Sequence, residues 1–227
     1  MHIDKECFMK RVQALVFGIC LTLCVGTSSY AQMPPLPPPP MPVMIPVPHR
    51  LQDTYIWCWV TAAQMVLEYR GLDPNLEQCR LLEIGYSLPE GYCCGDPRRC
   101  MRGAQHMFEV QRLVSYAGGV PSIVTLAEDP MSLYNNLLND HPVIIEIATG
   151  YGSSHAIVAV GMRFEDRCGQ QCQRDPYNPF APPICFPVCQ RFAAVAVNDP
   201  MKAYTDEIEY GQLIRVWKSS LIVEHRN

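Results

Sequence analysis

From Trp59 to Arg70 the apolar positions fall at Val60, Ala63, Met65, Val66, Leu67 and Tyr69, a spacing that predicts a mostly buried helix with Gly71 as its C-terminal cap. Cys58 begins that helix. Asp73-Pro74 and Asp129-Pro130 each supply an N-cap followed by proline at the first helical position, predicting helices of about ten residues through Leu82 and Leu138. Gln105 to Tyr116 predicts a further helix, and Gly85 to Gly103 a loop. Beyond Asp140 the pattern changes to short β-branched runs at Val143–Ile147, Ala156–Val160 and Phe192–Val197, with Leu213–Val216 and Leu221–Val223 as extensions of the same sheet. Helices first and antiparallel strands second predict an α+β domain of two halves, and a cleft between them is where a site belongs.

The ends of the chain refine this picture. Lys10 and Arg11 precede an apolar run from Val12 to Val25, and Ser29-Tyr30-Ala31 supplies small residues for a cleavage site, which predicts a signal peptide over residues 1–31. The run is about 14 residues, short of the roughly 20 that a membrane span needs. The expected location is therefore periplasmic or extracellular. Residues 32–48 follow as a proline-rich stretch, with nine prolines between Pro34 and Pro48. That density predicts an extended tether without helix or sheet. The domain itself is expected at 49–227. Removing the first 31 residues, with three basic and two acidic side chains, takes the formal net charge from −4 to −5. An acidic balance argues against nucleic acid as a partner. A single domain, monomeric, is expected from the 196 residues that remain.

Cysteine usage brings in the chemistry. Cys7, Cys20 and Cys24 lie in the predicted leader; Cys79, Cys93, Cys94 and Cys100 form one cluster, and Cys168, Cys172, Cys185 and Cys189 another. Outside the cytoplasm an even set predicts disulfides and leaves Cys58 as an odd thiol. For the second cluster, two Cys-x3-Cys pairs 12 residues apart also match a tetrahedral zinc site; compartment favours bridges, and no metal or cofactor is expected. The insert 164–191 that carries this cluster holds Pro176, Pro179, Pro182, Pro183 and Pro187 and predicts no regular structure of its own.

A helix N-terminus favours a thiolate, because its unpaired N–H groups and the macrodipole favour negative charge. Six positions upstream, Gln52 can place an amide beside the Cys58 N–H to hold an oxyanion. His155 opens a strand after the small-residue loop Gly150-Tyr151-Gly152-Ser153-Ser154 and is the candidate base. If strands 156–163 and 191–198 pair so that 163 faces 191, then 155 faces 199 and Asp199 can accept from the ring Nδ1–H; a one-residue slip offers Asn198 instead.

The Gln52-x5-Cys58-Trp59 block, the approach to His155 and the Asp199-Pro200 pair resemble papain-like cysteine proteases, in the bacterial branch with bacteriocin-leader peptidases and the papain-like effectors of plant pathogens. The resemblance spans about residues 49 to 223. It implies an N-terminal helical half carrying the nucleophile helix, a C-terminal antiparallel sheet half, and a cleft between them. It also implies the oxyanion role for Gln52 and favours Asp199, the aspartate of an Asp-Pro pair, while the asparagine used in papain keeps Asn198 open. The expected function is a secreted cysteine peptidase acting on a protein or peptide through a thioester acyl-enzyme. The alternative is a transamidating or catalytically silent module that binds an extracellular partner.

Overall fold

In the computed structural model of the chain, which describes residues 36–150 and 152–225, the apolar run beginning at Cys58 forms helix α1, Cys58–Tyr69. Eight of its side chains, from Trp59 to Leu67, are buried. Gly71 ends the segment at φ +88°, a left-handed conformation that favours glycine. The predicted leader at 1–31 and the first prolines of the expected tether lie outside the described residues. The chain divides into two units, Met1–Pro37 and Pro38–Asn227. All the helices and strands of the described residues belong to the second.

The two Asp-Pro pairs behave differently. Asp129 caps α4, Pro130–Leu138, by accepting from the Met131 and Ser132 N–H groups at 2.9 and 3.1 Å. Asp73 instead spends its carboxylate on the Asn75 N–H at 2.9 Å, so the chain turns there. Helix α2, Gln78–Gly85, starts later, after an extended Glu77. Helix α3 is Met107–Gly118, capped by Gly119 at φ +61°.

The strands form one antiparallel sheet in the order β2-β7-β3-β4-β5-β6, with β1 beside β4. They are β1 (Val43–Met44), β2 (Ser122–Leu126), β3 (Val143–Gly150), β4 (Ser153–Gln173), β5 (Ile184–Asn198), β6 (Thr205–Glu209) and β7 (Trp217–Val223). Strands β2 and β6 are not evident in the sequence, because neither carries a clean apolar alternation. Leu213–Val216 is not a strand. Leu213 ends the short helix α5, Tyr210–Leu213, and is buried, whereas Ile214 and Val216 are exposed.

Consecutive strand side chains point to opposite faces, so the unbroken burial of Ala156 through Met162 means that both faces of β4 are covered. Helices α1 and α4 both pack on it. The core therefore lies against the centre of the sheet, and His155 stands at its rim.

The sheet corrects two expectations. The later part of the proline-rich stretch is docked on the domain: Val43 and Met44 pair with Met162 and Gly161, the Ile45 N–H donates to the Val160 carbonyl at 2.8 Å, and Ile45 and Val47 are buried. Prolines at 42, 46 and 48 remove donors but leave those of 43 to 45 and 47 free to pair. The close approach needs glycine at 161, where a Cβ would lie 2.7 Å from Met44 Sδ and 2.8 Å from the Val43 carbonyl oxygen. Nor is the 164–191 insert irregular. Strands β4 and β5 continue through it as a two-stranded ribbon, with Cys168 opposite Cys189 and Cys172 opposite Cys185. Both opposed pairs are disulfides, two rungs on one face of the ribbon. Cross-strand bridges supply the order that proline density hid.

Candidate active site

Helix α1 presents Cys58 as its first residue. Trp57, the N-cap, makes no side-chain capping bond, and the first turn holds no acidic residue. The positive end of the helix is thus left to act on the sulfur. Cys58 is the free cysteine among the described residues and is partly exposed. The other four cysteines of the helical half form Cys79–Cys94 and Cys93–Cys100.

The segment before Cys58 is held from three sides. Gln78, buried on α2, accepts from the Asp53 N–H at 2.9 Å and donates to the Leu51 carbonyl at 2.8 Å. The Gln52 N–H donates to the Pro200 carbonyl at 3.0 Å, which ties this segment to the loop that carries Asp199. The Trp57 and Trp59 indole N–H groups donate to the carbonyls of Cys100 and Arg102, at 3.0 and 3.1 Å. The cross-linked loop is therefore clamped to the start of α1 on either side of Cys58. Sequence reasoning did not find this tryptophan clamp, because its acceptors are backbone carbonyls more than 40 residues away.

Across the groove, His155 is the third residue of β4 and pairs with Ile147 on β3. Its Nε2 lies 2.7 Å from Asp199 Oδ1, with only 11% and 15% of the two side chains exposed. Cys58 lies near enough on the same groove to act on the ring; with Nε2 turned to the carboxylate, Nδ1 is the nitrogen left for the sulfur. Burial pulls the His155 pKa down. The hydrogen bonds and negative charges of Asp199 and Cys58 outweigh that and raise it to about 9. Burial conversely pushes Asp199 up, but His155, the Met201 N–H and Lys202 together hold it below the usual carboxylate range.

The register from which the sequence nominated this pair is not the one the sheet adopts. Arg163 faces Ala194 rather than residue 191, and β5 ends with Asn198 opposite Val158. Asp199 lies just past the strand end, where the turn sends its side chain back to the ring. The contact is made to Nε2, not to Nδ1. Asn198 is committed elsewhere: it is buried, its Nδ2 donates to the Val47 carbonyl at 3.0 Å, and its Oδ1 accepts from Thr205 at 2.7 Å.

Cys58, His155 and Asp199 share one groove of about 790 Å³ between the halves. Ile56, Trp59, Met107 and Val110 line it from the helical side, and Glu146, Ser154 and Lys218 from the sheet. Gln52 is not on this groove. It borders a neighbouring hollow that shares Tyr55 and Met201, and its Oε1 is buried without a hydrogen-bond partner.

The sequence profile of the Peptidase_C39 like family matches residues 44–220. A crystal structure described as a C39-like peptidase from Bacillus anthracis is similar over 83% of this chain and 100% of that one, at 14% identity and a TM-score of 0.52. The peptidase domain of Streptococcus ComA, described as a bi-functional ABC transporter involved in a quorum sensing pathway, is similar over 79% and 99%, at 12% identity and a TM-score of 0.50. At such identities the likeness is one of fold. No curated protein matches the chain by sequence.

Proposed function

The chain belongs to the Peptidase_C39 like family, papain-like cysteine proteases of the bacteriocin-leader peptidase type, and from that premise we propose that it hydrolyses peptide bonds through Cys58, His155 and Asp199. The observation that carries the reading is the unpaired sulfur at the start of α1, sharing one groove with a ring whose Nε2 is held by a carboxylate. A nucleophile, a base and an orienting group in contact are what acyl transfer requires.

In this mechanism the Cys58 thiolate attacks the substrate carbonyl carbon. The resulting oxyanion is held by the Cys58 N–H and by the Gln52 side-chain amide, which swings from its hollow into the groove. The Gln52 backbone is fixed by Pro200, and its Oε1 has no hydrogen bond to hold the amide in the hollow, so the Nε2–H donors are free to turn to the oxyanion. The imidazolium then gives its Nδ1 proton to the leaving amine, and the C–N bond breaks. A thioester remains. Water attacks it as His155 takes a proton back, releasing the acid and restoring the thiolate–imidazolium pair. Asp199 stabilises the imidazolium throughout, and a ring that stays protonated to about pH 9 is ready to protonate the leaving amine at neutral pH.

The setting we propose is outside the cytoplasm, after removal of residues 1–31. Four disulfides among the described residues fit an oxidising compartment. No helix among the described residues is long and apolar enough to cross a membrane. We place the start of the folded domain near Val43, where β1 joins the sheet, and confine the tether to the prolines before it.

Cys58→Ala tests the reading. Turnover of a protein or peptide substrate is expected to vanish while the circular dichroism spectrum and thermal midpoint stay at wild-type values. A thiol-directed epoxide is expected to label wild type once, at Cys58. Turnover in the alanine variant would exclude the mechanism.

A further inference from the structure

The groove holds one charged group that the mechanism does not use. Glu146 on β3 is paired with Ala156, the residue after His155, and with Ser219 on β7. Its position in the middle of the sheet fixes its backbone, and its side chain is 21% exposed toward the groove. One carboxylate oxygen is well satisfied: Oε2 accepts from the Ser219 hydroxyl at 2.6 Å. The other is not. The nearest cation to Oε1 is the Lys218 ammonium at 3.7 Å, beyond hydrogen-bond length. That ammonium spends its short bond on the Ser154 hydroxyl at 2.7 Å, and its side chain is 43% exposed. That oxygen is not among the buried unpaired atoms, so solvent can satisfy it now, but leaving it without a donor becomes costly once a substrate covers the groove and excludes water.

The helical wall is mixed. Trp59, Met107 and Val110, from α1 and α3, are apolar, Gln105 and His106 are polar, and this wall brings no Asp, Glu, Lys or Arg to the groove. A side chain that crosses from this wall to Glu146 needs an apolar stem and a cationic head, the amphipathic make-up of lysine and arginine. Lys218 occupies part of that position from the side, as a loosely held stand-in that a substrate cation can displace.

We propose that Glu146 is a specificity determinant that selects a lysine or arginine side chain of the substrate close to the scissile bond. The proposal deepens the peptidase reading and rests on it. Strand spacing of about 4.8 Å and an extended-peptide rise of about 3.3 Å per residue put the selected position within about two residues of the cleaved bond.

The test compares peptides that carry lysine with the same peptides carrying norleucine, which keeps the stem and loses the charge, at each position on both sides of the scissile bond. Wild type is expected to favour lysine by about two- to fivefold in kcat/KM at one position, as suits a partly exposed charge pair. In Glu146→Gln the lysine-to-norleucine ratio is expected to fall to about one. Removing the stand-in with Lys218→Met is expected to raise the ratio above that of wild type. The same pairs are titrated against Cys58→Ala by fluorescence anisotropy, so that a protein which cleaves nothing still reports the preference as a ratio of Kd values. Absence of turnover in wild type would sink the peptidase reading. A lysine-to-norleucine ratio of one or less for wild type in both assays, or a preference that survives in Glu146→Gln, overturns the role of Glu146.

Discussion

Replacing Asp199 with asparagine separates the charge of the third residue from its geometry. The amide oxygen can still accept from the His155 Nε2–H, now 2.7 Å from Oδ1, and from the Met201 N–H, now 2.9 Å away. What disappears is a negative charge beside a ring that is largely removed from solvent. Burial by itself would take the His155 pKa below its ordinary 6.5; Asp199 and Cys58 bring it to about 9. Both act in the same direction, because each stabilises the protonated ring. Deleting the Asp199 charge must therefore lower the pKa, and the remaining help from Cys58 keeps the fall from being complete. The assay is kcat/KM against pH. The alkaline limb reports loss of the imidazolium from the coupled Cys58–His155 pair in the free enzyme. It is expected near pH 9 in wild type and nearer neutrality in the variant. At pH 8 the rate should drop by about 10²- to 10⁴-fold, the range for loss of an orienting carboxylate, and part of the loss should return as the pH is lowered. An alkaline limb that does not move in Asp199→Asn would refute the electrostatic role, whatever happens to the rate.

Two further perturbations probe the scaffold. Gly161→Ala puts a Cβ 2.7 Å from Met44 Sδ and 2.8 Å from the Val43 oxygen, so urea denaturation should show a loss of about 1–3 kcal/mol; Met44→Ala should restore only part of it, since the clash with the backbone oxygen remains. Glu83, buried on α2, accepts from the Cys93 and Cys94 N–H groups at 2.8 and 3.1 Å and from Arg80 at 2.9 Å. Burial opposes its ionisation, but Arg80 and the backbone donors win and hold its pKa at about 2, below the ordinary 4.5. Because the folded-state pKa is depressed, the stabilisation is fully present above about pH 4.5 and is lost as the pH falls toward 2. Glu83→Gln is accordingly expected to cost about 1–3 kcal/mol at pH 7, with the gap to wild type narrowing in acid.

The legible parts of the chain were those whose signal is local. Helix α1, the Asp129 cap and the core strands around residues 145, 158 and 195 follow from spacing, because burial on one or both faces imposes a period on neighbouring residues. The odd thiol at position 58 followed from counting. Where two local signals conflicted, as at the Asp73 turn and in the proline-rich stretch before residue 49, the chain's own turn bond or a pairing with β4 decided, and the periodicity did not.

His155 and Asp199 show the limit most clearly. Residue types and a strand-like run were enough to nominate both, yet the assumed pairing of 163 with 191 differs from the pairing with Ala194 that the sheet adopts. Register depends on every contact along two strands, and a bulge between Ala159 and Gly161 shifts it. Order and residue type along the chain were sufficient for an α+β protein with an unpaired sulfur at the head of a buried helix and eight further cysteines, four in each half, available for disulfides. Long-range packing settled the rest: the insert is a ribbon rather than a loose arm, Asn198 belongs to the core while Asp199 faces the ring, and Glu146 stands on the groove. Those choices turn on distances between residues far apart in the chain, and no local pattern encodes such distances.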